Sequence, residues 1–268
     1  MNPYIRIIRP VNSVMASFSV MVVSLSIGKF DMTKIVLGML VTFLTTSGGN
    51  VINDYYDYEI DRINHPDRPI PSGKMDRNVA LYFSITLFTG SLVSSFFLGM
   101  IPLIVDILAI FLLITYEAKT KNIGFTGNFQ ISFLILLLFL FTGTIYSDYY
   151  LPVILGIMAM LSNLAREITK DVEDIKGDVN RITLPKKIGI KNSLSISTLL
   201  IIIAVMISPA PYILGFYGIY YIFTVSLSDV IFLYSSYIQW KNSTYGQKYL
   251  KLAMIIALVS FLVGGLLK

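Results

Sequence analysis

The sequence predicts an all-α, polytopic membrane protein with nine transmembrane helices around a central cavity and its N-terminus in the cytoplasm. Three observations predict it. Of 268 residues, 55% are hydrophobic and only 14% charged, against about a quarter charged in a soluble domain, and the mean hydropathy is +0.72. The apolar residues collect in runs close to the roughly 20 residues that a helix needs to cross a bilayer core of about 30 Å. The basic residues fall on alternate connections between those runs. A soluble globular enzyme is therefore excluded.

The runs occupy residues 11–28, 34–49, 79–99, 101–116, 127–146, 151–164, 193–207, 211–235 and 250–267. The first has an apolar stretch too long for a cleavable signal peptide and lacks a small-residue cleavage site. Nine alternating spans place 18 of the 21 Lys and Arg residues on one side, leaving only Lys29, Lys34 and Lys268 on the other. Cytoplasmic loops carry the excess of Lys and Arg, so the C-terminus is expected outside. The net charge of +5 then describes a cytoplasmic rim, and no nucleic-acid partner is expected.

Other chemistries fall away by composition. Cysteine is absent, which excludes disulfides, zinc-thiolate and iron–sulfur centres and a thiol nucleophile. The single histidine, His65, sits between Asn64 and Pro66 in a polar loop, and a multi-histidine metal site is excluded.

The carboxylates need a separate explanation, because acidic residues contribute little to orientation. Eleven of the 16 Asp and Glu residues lie in two segments, six from Asp54 to Asp76 and five within 167–178, each directly after a span. In the first, Asn50, Asp54, Asp57 and Asp61 follow steps of four, three and four, and Asn53 precedes Asp57 by four. On a helix continued past the membrane surface they form one polar stripe. In the second, Asp171, Asp174 and Asp178 repeat the steps of three and four.

Like charges at such spacing destabilise an isolated helix, so something must compensate them; the plain alternative to a bound cation is a solvated acidic face flanked by basic loops, less expected for two matched clusters than for one. Oxygen ligands without histidine or thiolate suit Mg²⁺, which is usually shared between one or two carboxylates and substrate phosphates. Basic residues interleave with both stripes: Arg62, Arg68 and Lys74 after the first, Arg166 and Lys170 before the second, Lys176 and Arg181 within or after it. Carboxylates and cations around one cavity suit a metal-bridged diphosphate. A carboxylate cage for a bare cation has little use for them. The first cluster follows span two and the second span six, which raises parallel four-helix repeats at about 11–122 and 123–240 with a ninth helix at 250–267.

These residues resemble the UbiA-type intramembrane prenyltransferases. The family signatures N-D-x-x-D-x-x-x-D and D-x-x-D-x-x-x-D stand here as NDYYDYEID (53–61) and DVEDIKGD (171–178), and the likeness covers nearly the whole chain as a single domain, 1–268. The resemblance implies Mg²⁺-dependent transfer of a prenyl group from its diphosphate to an acceptor. It implies that Asn53, Asp54, Asp57 and Asp61 bind one part of the metal–diphosphate assembly and Asp171, Asp174 and Asp178 the other. Asp57, Asp61, Asp174 and Asp178 are expected to be essential for turnover. The family's Y-x-x-x-K element departs here, since Tyr116 is followed by Lys119 at three residues and Lys121 at five; either lysine can face the diphosphate, with Lys119 favoured.

Within the family the two motif regions look most like the archaeal ether-lipid branch, whose members transfer a geranylgeranyl group to the free hydroxyl of geranylgeranylglyceryl phosphate. The expected partners are a prenyl diphosphate donor, a lipid-like glycerol phosphate acceptor and membrane lipid, with a multi-pass protein whose active site faces the cytoplasm. Arg62, Arg68, Lys74 and Arg166 are candidate anchors for the acceptor phosphate. An aromatic acceptor on the path to a quinone is the runner-up, and a divalent-cation transporter is the reading from another class. Tyr55, Tyr56, Tyr58, Tyr116, Phe125 and Phe129 offer faces for an allylic cation. The glycine-bearing turn 122–128 is expected to end one helix and start the next. Asp106 and Asp229 lie inside apolar runs and are suspects by default, with Asp106 expected to snorkel from the outer end of its span and Asp229 the better functional candidate.

Overall fold

The computed structural model describes residues 2–175 and 182–267. Among them the regular elements are helices, apart from one isolated parallel bridge between Ile123 and Ile182. In chain order they are α1 (Pro3–Ile7), α2 (Pro10–Ser26), α3 (Met32–Tyr56), α4 (Tyr58–Asn64), α5 (Arg77–Phe96), α6 (Met100–Ala118), α7 (Phe125–Tyr146), α8 (Tyr150–Glu173), α9 (Leu184–Ile188), α10 (Ile190–Ile207), α11 (Ala210–Ile213), α12 (Ile219–Ile238) and α13 (Ser243–Leu266). Eight are long and apolar enough to cross a membrane: α3, α5, α6, α7, α8, α10 extended through α11, α12 and α13. Helix α2, with 17 residues, is apolar but shorter.

The helices cluster into two units. One comprises Met1–Met21, Phe30–Ala118 and Thr144–Ser147; the other comprises Val22–Lys29, Lys119–Gly143 and Asp148–Lys268. In the first unit α3 packs against α5 and α6. Gly48 permits the contact with α5, because a Cβ there would sit 2.6 Å from Cε1 of Phe88. Ser84 Oγ donates to the Gly48 carbonyl at 3.0 Å, the kind of small-residue and hydroxyl contact that joins helices where lipid supplies no hydrophobic drive.

In the second unit α8 packs against α10 and α13, and α12 against α13. Ala165, Ile201, Phe232, Leu250 and Ala253 form its core. The two helices that carry the acidic motifs are the most enclosed, with 56% of the apolar window of α3 and of α8 buried against 22 to 33% for α5, α6, α10–α11, α12 and α13.

One boundary and one role differ from expectation. As the helical spacing of the polar stripes requires, α3 and α8 run on past their apolar stretches, to Tyr56 and Glu173, which carries the motifs outward on helical scaffolds. The run 211–235 is not one span, since α11 ends at Ile213, the chain turns through Gly215 at φ +75, and α12 begins only at Ile219. Asp106 does not snorkel. It is 3% exposed and accepts from Thr45 Oγ1 and Ser91 Oγ, both at 2.7 Å, so it ties α6 to α3 and α5. Asp229 accepts from Ser208 Oγ at 2.6 Å. The turn 122–128 behaves as expected, with a 3-10 turn over Thr120–Asn122, Gly124 at φ +54 and α7 starting at Phe125.

Candidate functional site

The first motif lies where α3 gives way to α4. Asp57 ends α3 with φ −82 and ψ 5, yet its N–H still bonds Asn53 O at 2.9 Å and its own carbonyl accepts from Asp61 N at 2.8 Å. The helical ladder therefore survives the joint, and the polar stripe is continuous.

Asp54 and Asp61 are buried, at 2% and 3% exposure. Two arginines meet them: Arg9 Nη2 lies 2.5 Å from Asp54 Oδ1, while Arg68 Nη1 lies 2.5 Å from Asp61 Oδ2 and 3.4 Å from Asp54 Oδ1. Asn53 joins the group, accepting from Arg9 at 2.7 Å and donating to Asp57 Oδ2 at 3.0 Å and Glu117 Oε2 at 2.8 Å. The first unit thus concentrates four carboxylates, an amide and two guanidinium groups at the end of α3.

The second motif begins at the end of α8, and Asp174 caps that helix with φ −84 and ψ 0, its N–H bonding Lys170 O at 2.9 Å. Asp57 and Asp174 are the second aspartates of their motifs, so both motifs end a helix at the same position with nearly the same backbone. Asp171 accepts from Asn128 Nδ2 of α7 at 2.7 Å. Ser132 Oγ accepts from Asn163 Nδ2 at 3.1 Å and donates to Asn128 O at 2.7 Å, while Arg166 bonds Asn163 Oδ1 at 3.3 Å and pairs with Glu167. A buried amide holds the base of this arm: Gln239 Oε1 accepts from Thr169 Oγ1 at 2.7 Å and Ser197 Oγ at 3.1 Å. Asp178, Lys176 and Arg181 lie outside the described residues.

The remaining sequence candidates are dispersed. Asn50 does not join the carboxylates; its Nδ2 donates to Ile8 O at 2.9 Å and Ser13 Oγ at 3.2 Å, fixing the turn that bears Arg9. Arg62 is exposed and pairs with Glu59 at 3.7 Å. Lys74 and Lys119 are exposed, Tyr116 and Lys121 half-buried, and Lys170 lies 3.9 Å from Glu167. Arg77 stacks on Tyr55 and Tyr58, at 4.5 and 5.5 Å from the ring centres. Outside the membrane-spanning segments, Arg6 bonds Asp67 and holds its carboxyl below the usual range.

Three participants escaped the sequence reading. Arg9 counted there only as a positive charge at the start of the chain. Glu117 had the available signal of an acid directly after an apolar run, and Asn128 had none beyond its place in a turn.

Among the described residues no three Asp, Glu or His side chains come together as a metal cage. Mg²⁺ asks for less, since one or two carboxylates and substrate phosphates with retained waters suffice. The donor chemistry fits it. Oxygen donors line the α3–α4 joint and the C-terminus of α8, where the macrodipole is negative, and the buried pair Asp54 and Asp61 has already drawn in two cations.

An all-helical membrane fold with an acidic motif at the ends of two enclosed helices defines a class. The chain matches the model of the UbiA prenyltransferase family over residues 14–263 and belongs to that family. It is similar along nearly its full length to the digeranylgeranylglyceryl phosphate synthase of Methanosphaera stadtmanae, 43% identical over 99% of this chain and 100% of the relative. The synthase of the same name from Methanothermobacter thermautotrophicus is 42% identical over 87% of this chain and 83% of the relative. A solved structure described as digeranylgeranylglyceryl phosphate synthase superposes with a TM-score of 0.90 at 38% identity, covering 98% of each chain. A UbiA homolog from Archaeoglobus fulgidus bound to GPP and Mg2+ shares the fold, with a TM-score of 0.76 at 17% identity and 98% coverage of each chain.

Proposed function

We propose that this protein transfers a geranylgeranyl group from geranylgeranyl diphosphate to the free hydroxyl of geranylgeranylglyceryl phosphate, releasing diphosphate, in archaeal ether-lipid synthesis. The observation that carries the reaction is the matched ending of α3 and α8, each stopped by the second aspartate of an acidic motif. The acceptor follows from the full-length similarity to synthases of that name.

Asn53, Asp54, Asp57 and Asp61 in one motif and Asp171, Asp174 and Asp178 in the other would hold Mg²⁺ with the diphosphate. Bound there, the metal would supply positive charge to a leaving group that gains negative charge as the allylic C–O bond ionises. Arg68, Arg166, Lys119 or Lys121, and Lys74 contact the phosphate oxygens of donor or acceptor. The electron pair of the breaking bond stays with the diphosphate, the acceptor oxygen bonds the allylic carbon, and its proton passes to a motif carboxylate or the departing diphosphate. Membrane burial keeps water from the allylic cation. The 18-to-3 division of basic residues supports nine spans, counting α2, with the N-terminus and both motifs on the cytoplasmic side.

Purified protein incubated with geranylgeranyl diphosphate, Mg²⁺ and either the glycerol phosphate lipid or an aromatic acid is expected to alkylate only the former. Prenylation of the aromatic ring alone overturns the acceptor assignment, and no transfer after Mg²⁺ is returned to the chelated protein overturns the reaction.

A further inference from the structure

We propose that Arg9 is a phosphate-binding residue, held on Asp54 and Asn53 in this structure and released to a substrate phosphate when a divalent cation takes over Asp54. The inference rests on the function proposed above. Orientation alone does not account for Arg9, because a topogenic arginine need only lie on the correct side of the membrane.

This arginine is instead held in place. It carries φ +49, a left-handed conformation unfavourable for a residue with a Cβ, just before Pro10. The surrounding contacts enforce the turn: Ile8 O accepts from both Ser13 Oγ and Asn50 Nδ2 at 2.9 Å, and Ile7 is fully buried against Val51, Ile70, Met75 and Ala80. Asn50, which the sequence placed on the polar stripe, thus acts through Arg9. Strain sustained in this way belongs to functional positions.

The charges point the same way. Asp54 has a second cation in Arg68, which is also shared with Asp61. Both bonds of Arg9 use Nη2. Among the described residues its Nε and Nη1 make no hydrogen bond, and the side chain is 32% exposed; once Nη2 leaves Asp54, it restores a planar fork with either of them for a phosphate.

The test separates two affinities that a merely structural arginine would move together. In Arg9→Gln, calorimetric titration with Mg²⁺ alone is expected to show tighter binding, by about threefold or more, because a competing cation has left Asp54. Geranylgeranyl diphosphate in saturating Mg²⁺ should bind about tenfold or more weakly, the loss expected for a charge-assisted contact. Parallel titration with geranylgeranylglyceryl phosphate shows whether the phosphate served is the donor's or the acceptor's. Unchanged or weaker Mg²⁺ binding, or unchanged affinity for both phosphates, overturns the proposal.

Should Arg9→Gln fail to fold, Arg9→Lys keeps the charge but not the fork. Mg²⁺ binding should then match wild type while phosphate affinity falls, and unchanged phosphate affinity in that variant is equally decisive against it. Wild-type protein that binds inorganic pyrophosphate but transfers no prenyl group would sink the proposed function and leave the role of Arg9 standing.

Discussion

Asp174 occupies the least favourable end of a helix for a negative charge. It caps the C-terminus of α8, where the macrodipole already places about half a negative charge, and a carboxylate there costs roughly 0.3–1 kcal/mol, whereas Asp57 also begins α4. Asp174 is exposed, so Asp174→Ala is expected to lower turnover at least about 100-fold, the scale of a lost electrostatic stabiliser, while thermal stability of the metal-free protein stays level or rises. Asp61→Asn should also abolish turnover, with the opposite effect on stability. Asp61 is 3% exposed and bonds Arg68, itself 26% exposed. Removing one partner of a buried pair costs 3–5 kcal/mol, and partial exposure of the arginine reduces this to about 1–3. Turnover and thermal unfolding of the two variants check both signs; a stability loss in Asp174→Ala equal to that of Asp61→Asn would refute the helix-end argument. At this scale the aspartates were legible because their spacing is local, as were Arg68 and Arg166 because they flank the motifs. Arg9 was not, since its contact with Asp54 spans 45 residues and depends on a backbone turn that no spacing reveals.

Helices were legible as apolar runs, and their functional extensions were legible only where a polar periodicity continued the run. Residues 50–61 kept the helical step beyond the apolar stretch, and α3 with α4 follows it. The start of α12 was misplaced, because Ile213, Leu214 and Phe216 keep the run from 211 apolar, although Gly215 and Gly218 punctuate it and the positive φ of Gly215 turns the chain there. Asp106 was misjudged for a related reason: hydropathy locates a residue along a span but not around it, and the hydroxyls of Thr45 and Ser91 lie on other helices. Packing between elements is tested most directly at Gly48. In an ordinary helix Gly→Ala stabilises by about 1 kcal/mol. Here the added Cβ would lie 2.6 Å from the Phe88 ring, and such overpacking costs about 1–3 kcal/mol. Gly48→Ala is therefore expected to lower the unfolding temperature and, by displacing α3 and the motif it carries, turnover as well. Gly48→Ala combined with Phe88→Leu should recover part of both losses, whereas a stabilised single variant would show that α3 and α5 do not depend on this contact.

For the whole molecule, the distribution of charge in the sequence makes a stronger statement about topology than helix length does. Helix α2 has 17 residues, rising about 26 Å, just under a hydrocarbon core of about 30 Å. A local thinning of the bilayer or flanking polar anchors accommodate such a deficit at a modest cost, and Arg6 and Arg9 precede the helix while Lys29 follows it. If α2 crosses, spans alternate nine times, the chain ends lie on opposite sides, and the loops bearing both acidic motifs share the side of Arg6 and Arg9. If α2 lies along the surface, only eight helices cross and both ends share a side. The absence of cysteine makes the wild-type chain its own labelling background. Single cysteines at Asn2, Phe30, Lys74 and Leu267 can be probed with a membrane-impermeant maleimide, in intact cells and in inverted vesicles. Nine spans require Asn2→Cys and Lys74→Cys to react only from the cytoplasmic face and Phe30→Cys and Leu267→Cys only from the other. Asn2→Cys and Phe30→Cys reacting from the same face would remove α2 from the spans, and with it the inference that 18 basic residues gather on one side to meet an anionic substrate.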